Sequence, residues 1–385
     1  MTYPDELRLN RRQWLLATTV VLTGCGGGGN LAGALPGTGG TGIGVQGTIT
    51  GFGSVIVNNT KFDDSAASVY LDGVQLSSTD LRVGMVASIE GSVASSGISG
   101  SSGRASRIDV WSIARGVVRP TDITGTGFTM AGMRFSTDVA TSFEGLVNLS
   151  SVSVDTPLAV WGVQTSADAR AWKATRVKLL STVPTSIVST GLLSTSTGML
   201  NGMHLTGSAL GGFADKQLLR VEGSLDSASS VLSVSSATAV GVAQQTPSSG
   251  LVGWEGVVTA FSNATDFSIG TIRVDASKAT LSPANQIVSL NSAVEVTGTL
   301  QNGVLNASLV EIKSSNAAVQ IDITGVVEHF NGVAAFEVRG QPCDASNARV
   351  TGTLSNLHAG TKVRVLGSSD GDETLLVQAI YIDVP

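Results

Sequence analysis

The sequence has three histidines and two cysteines in 385 residues, so the groups able to do covalent or metal chemistry can be taken one by one. Cys25 closes the run Leu22-Thr23-Gly24-Cys25, which follows Arg11-Arg12 and an apolar stretch over residues 14–22. A basic start, an apolar middle and small residues before a cysteine form an export signal with a lipobox, where cleavage before Cys25 leaves a thiol to carry lipid. Arg11, Arg12, Leu22, Thr23 and Gly24 are its signal residues, and Cys25 is the expected lipidation site.

Metal binding needs several ligands converging, and the remaining candidates are scattered. Aligned with internal copies described below, Cys343 takes the slot of Phe62, Phe135, Leu205 and Val274. It reads as a buried core position where a thiol behaves as a small hydrophobe. His204 shares a slot with Lys61, Arg134 and Arg273, an outward strand position, and His358 falls in a turn. His329 replaces Gly51 and Ala260 on a first strand and is a candidate groove residue. With Trp254 and Trp161 it makes up the candidate ligand-binding set, since indoles stack on sugar rings or aromatic ligands.

The acidic run Asp370-Gly371-Asp372-Glu373 and the pair Asp63-Asp64 read as solvated turns, because Ca²⁺ wants six to eight spaced oxygens. No nucleophile elbow, metalloprotease helix or phosphate loop occurs. No catalytic residue, metal or cofactor is therefore expected.

The elements that must position these residues repeat. A glycine followed by two apolar residues opens a strand at Gly116, Gly191, Gly256 and Gly325, as Gly47 opens the template at residues 47–110. The intervals are 69, 75, 65 and 69 residues. A second landmark, an apolar strand ending in glycine, falls at Gly91, Gly162, Gly223, Gly298 and Gly367. In the third copy it comes early, and the final strand near residues 232–239 is degenerate, so that copy has lost part of its middle. Landmarks in one order at one period signal tandem modules. Each reads as five short strands, with residues 55–62 taken as a single strand.

The Gly-Thr-Ile-Thr-Gly-Phe-Gly-Ser-Val opening at residues 47–55, the Val83-Gly84-Met85-Val86 turn and the Gly-rich leader resemble domain-of-unknown-function family 5666 of bacterial exported proteins. The resemblance is clearest over residues 47–110. It implies a small β-domain and carries no catalytic residues with it.

The expected fold is all-β: about five tandem five-stranded barrels of the partly open OB type, with small β-sandwich modules as the alternative. A five-bladed propeller fits less well, since the period exceeds common blades. The expected layout is a signal peptide at 1–24, a Gly-rich linker at 25–43 and modules at 44–113, 114–182, 183–242, 250–316 and 320–385. The third module is the degenerate one. The linker would hold the first module roughly 20 to 25 Å from the lipid. Alternating side chains should fill small separate interiors, with neighbouring modules packed together because domains of this size are marginal alone. Residues 241–253 would separate modules one to three from four and five.

No apolar run reaches the roughly 18 to 20 residues of a membrane-spanning helix. The expected attachment is the lipid, and Gly26 after Cys25 points to the outer membrane. Arg11-Arg12-Gln13-Trp14-Leu15-Leu16 also resembles the twin-arginine export motif, with Trp14 where Phe is usual; a general secretory signal fits equally. Net charge −6 and an aromatic share of 5% argue against nucleic acid as a partner. The residues favour a non-enzymatic envelope scaffold that binds a protein or polysaccharide partner. The alternative is small-ligand or glycan binding or processing at a module junction.

Overall fold

The computed structural model describes residues 42–93, 102–119, 125–226, 228–240, 249–270, 272–313 and 319–382. Cys25 and the signal residues lie outside them. The described chain is all-β, with thirty strands and only three-residue 3₁₀ turns between them. Among the described residues no helix is long and apolar enough to cross a membrane.

The first module sets the pattern. Its long first strand, Gly42–Phe52, pairs antiparallel with Val86–Val93 through its first seven residues, then with Val55–Val57 at Ile49 and Gly51. Thr60–Asp63 continues the hairpin and runs parallel to the start of Ser102–Val110, and Ser68–Leu71 takes the same rank further along it. Ser102–Val110 returns antiparallel to Val86–Val93. The ring therefore closes in the order first, second, third, fifth, fourth, first. That is a small OB-type barrel, closed by hydrogen bonds where the sequence suggested a partly open one. Val45, Ile49, Val55, Val57, Phe62, Ile89 and Ile108 alternate inward and are buried.

Residues 55–62 are two strands, not one. Asn58 and Asn59 sit at φ 51° and 55° between Val55–Val57 and Thr60–Asp63, the left-handed pair that a tight hairpin turn demands and asparagine tolerates. Val57 and Thr60 carry the β-forming pattern to both edges of the turn, so periodicity alone passes over it. The same turn recurs at Ala131-Gly132, Asn201-Gly202 and Arg339-Gly340.

Both glycine landmarks mark places where the barrel has no room for a side chain. At Gly91, Gly162, Gly223, Gly298 and Gly367 the fourth strand slips register against the fifth. A β-carbon there would fall on a backbone carbonyl oxygen of the fifth strand, from Arg104, Lys173, Ser233, Asn306 and Leu376 respectively. Such bulges bend a strand and raise its twist, which lets five short strands close. At the opening glycines the intruder is a side chain. Asn58 folds over Gly47 and Asn201 over Gly191, each donating its amide to the carbonyl before that glycine, Gln46 at 3.0 Å and Thr190 at 2.9 Å.

The later modules repeat the ring. In the second and third, single bridges at Val118 to Met130 and Ser194 to Met199 join first and second strands. Among the described residues the third module has no counterpart of the segment that continues the third strand in the other four, which is the middle its sequence has lost.

How the modules join departs from the expected division. Ile43–Gln46 of module one pairs parallel with Leu251–Trp254 of module four, and Gly51 and Phe52 pair with Asp322 and Ile323 of module five. Modules one, four and five thus share one hydrogen-bonded sheet, while two and three share another through Ala114 and Arg115 against Ser189 and Val188. Residues 249–253 form the start of a fifteen-residue strand, Ser249–Asn263, instead of a separator. The interiors are also less separate than alternation suggested. Modules two, three and four each have an apolar cluster, but those of one and five merge and take in Ala159 and Trp161 of module two.

Candidate functional site: a cleft shared by four modules

Pairing module one with module four, and module two with module three, brings four barrels around one cleft of about 590 Å³. Gln46, Asp109 and Trp111 line it from module one, Trp172 from the second, Thr190 and Asn201 from the third, Trp254 and Glu255 from the fourth. Three of the five tryptophans in the chain meet there. A pocket of this size, mostly apolar with a few polar groups, is the usual form of a small-molecule site.

The walls are held by contacts that cross modules. Glu255 accepts the Thr48 amide at 2.8 Å, pinning the fourth module to the first. Asp72 accepts the Ser112 amide at 2.8 Å and lies 3.2 Å from Arg220, so one carboxylate ties the end of module one to module three. Burial pulls the Arg220 guanidinium down from its ordinary value and the Asp72 charge opposes that shift. The Ala167 amide donates to Asn291 at 3.1 Å, linking modules two and four. At the seam of modules one and two, Arg176 is 2% exposed, donates to Val83 O at 2.8 Å and bonds Glu144.

Polar atoms in the lining are unevenly served. Asp109 is fully buried and gripped by Arg107 through two bonds of 2.5 and 2.8 Å. Trp172 Nε1 donates to Ala169 O at 2.9 Å. Trp111, 8% exposed, and Thr190, 1% exposed, have their Nε1 and Oγ1 buried with no partner, as is Gln46 Oε1. Buried polar groups in folded proteins almost always have partners. Three of the ten such atoms among the described residues belong to residues that line this cleft.

The residues singled out from sequence do not converge. Trp254 lines the cleft. Trp161, one residue before the bulge at Gly162, is buried in the apolar cluster centred on modules one and five. His329 lies on module five with its side chain 68% exposed and Nδ1 2.8 Å from Glu337, beside a separate hollow of about 160 Å³. His204 and His358 are exposed and Cys343 is buried. Burial pushes the Cys343 thiol up to about 12. Among the described residues no group of three or more His, Cys, Asp or Glu side chains converges to hold a metal.

The acidic turn at 370–373 is not simply a solvated tip. Asp372 accepts from Asn148 Nδ2 and Glu373 from the Gly145 amide, both at 2.7 Å, docking module five onto module two. Trp111, Trp172, Thr190 and Gln46 lie outside the candidate set drawn from the sequence, which held His329, Trp254 and Trp161. Their shared property is the junction, which no local pattern marks.

The fold and the cleft together define a tandem array of small OB-type barrels arranged around a common junction. The family model of a domain of unknown function, DUF5666, matches residues 115–178 and 255–311, within the second and fourth barrels. The repeats of this chain resemble that domain, although the first barrel, where the likeness is clearest by eye, lies outside both matched segments. No curated protein matches the chain.

Proposed function

We propose that this is an exported, lipid-anchored envelope protein whose barrels build a binding scaffold, with the four-module cleft as its binding site. The anchor rests on the lipobox ending at Cys25 and the outer-membrane placement on Gly26 after it. The observation that carries the binding site is the cleft itself: about 590 Å³, walled by four modules and three indoles. Binding suits it better than turnover, because Asp109 is locked by Arg107 and Glu255 is tied to the Thr48 amide. Each of the two carboxylates is already engaged by a protein partner.

Indole emission reports the cleft directly. Fractions of bacterial envelope, separated into polysaccharide, peptide and lipid, are titrated into the detergent-solubilised protein. At least one fraction should shift or quench the emission, and Trp254→Phe should weaken that response while keeping the melting temperature within a few degrees. Indifference to every fraction would remove the cleft as a binding site. Mass spectrometry of the exported protein checks the anchor separately: Cys25 should carry acyl chains, and Cys25→Ser should release the protein from the membrane.

A further inference from the structure

We infer that the guest of this cleft is a neutral oligosaccharide, stacked on the indoles and hydrogen-bonded to Trp111 Nε1, Thr190 Oγ1 and Gln46 Oε1. This rests on the reading of the cleft as a binding site and adds the chemistry of what enters it.

Charge removes the first alternative. Among the described residues no Lys, Arg or His lines the cleft, whereas Asp109 and Glu255 do. An anionic polymer would find no cation in the lining to receive it. A small organic cation is the second alternative, since indole faces attract it. Such a guest also needs free negative charge, and of the two carboxylates in the lining Asp109 is already paired with Arg107 and Glu255 already accepts the Thr48 amide. The indoles come from different modules, and the space between them is that of a drug-sized guest. Separate aromatic platforms suit a guest with several rings in a row.

The unpartnered atoms select among neutral guests. They are one donor, one hydroxyl able to donate or accept, and one acceptor. An apolar guest would leave all three unpaired and gain nothing from them, whereas a guest that pairs them gains a hydrogen bond at each. A saccharide hydroxyl both donates and accepts, so a ring bearing several serves all three while its C–H face lies on an indole. The atoms are almost closed off from solvent, so entry requires neighbouring side chains to part slightly.

The test uses detergent-solubilised full-length protein and calorimetry with four neutral trisaccharides, of N-acetylglucosamine, of mannose, and of glucose in α-1,4 and β-1,4 linkage. Trigalacturonate and glycine betaine serve as the anionic and cationic probes. At least one neutral trisaccharide should bind with a dissociation constant below roughly 1 mM. Thr190→Val and Trp111→Phe should each weaken it by about three- to tenfold, the worth of one hydrogen bond. Thr190→Val should meanwhile leave the melting temperature unchanged or higher, because none of the described residues bonds its hydroxyl.

Failure of every neutral trisaccharide, preference for trigalacturonate or betaine, or wild-type affinity in both variants overturns the inference. If a charged probe or a peptide fraction binds and Trp254→Phe weakens it, the cleft remains a binding site and only the saccharide is wrong. If nothing, including the envelope fractions, disturbs the indoles, both readings fall together.

Discussion

Arg176 and Glu144 show how a single pair can govern the response to pH. Burial alone would raise the Glu144 carboxyl, but Arg176 and Lys178 outweigh it and bring it from 4.5 down to about 2. The folded value lies below the unfolded one, so ionised Glu144 stabilises the protein above about pH 4.5 and that contribution is lost as pH falls toward 2. Glu144→Gln should cost about 3 kcal/mol at neutral pH, because it leaves a buried guanidinium short of its counter-charge. Its melting temperature should also fall less steeply than that of the wild type across this acid range. Parallel curves for the two proteins would mean that the pair does not control acid stability. Cys343 makes the complementary case of a group silenced by its surroundings. Only the thiolate reacts, and a buried thiol at about 12 should resist iodoacetamide at pH 8 until denaturant opens the fifth barrel. Rapid labelling of the native protein at Cys343 would contradict its burial.

The barrel strands were legible because their glycines answer to backbone geometry, which sequence records directly. Gly298 is typical: a β-carbon would strike the Asn306 carbonyl on the neighbouring strand, and neither backbone can yield without opening the ring. Gly298→Ala should therefore cost about 3 kcal/mol, at the upper end of overpacking penalties. Gly303, at φ +78° in the following turn, has nothing within 4 Å of where its β-carbon would lie. Gly303→Ala should cost roughly 1 to 2 kcal/mol, the strain of a left-handed residue alone. Urea midpoints of the two variants decide the matter, and an equal or reversed order would refute the bulge as the closing device. The hairpin at Asn58-Asn59 was harder to see, since β-branched residues flank it without a break. The cleft was harder still. Trp254 stood out as an indole able to stack on a ligand, but Trp111, Thr190 and Gln46 acquire meaning only once four barrels are placed.

At the scale of the molecule, contacts between chain-distant residues decide the assembly, and these leave no period in the sequence. Ile43–Gln46 lies beside Leu251–Trp254, a pairing that no module boundary announces. Asp322 of module five adds to it, accepting two bonds of 2.8 Å from Arg364 and lying 3.4 Å from Lys61 of module one. Arg339 donates to Ser78 O at 2.8 Å and stacks 4.5 Å over the Phe52 ring. With a shared apolar cluster beneath, module one is bound to modules four and five by strand pairing, charge and buried surface together. A protease site placed between Val240 and Ser249 separates these options. If the chain were two blocks joined by a linker, cutting it would release modules one to three from four and five. With module one spanning the cut, both fragments should appear on a denaturing gel yet elute as one species from a sizing column at micromolar concentration. Mild urea should not separate them before the barrels themselves unfold, since loss of the seam exposes an unpaired strand edge and the core shared by modules one and five. Two native peaks after cleavage would show that the parallel seam does not hold the molecule together. The four-module cleft would then lose the wall that Trp254 and Glu255 provide.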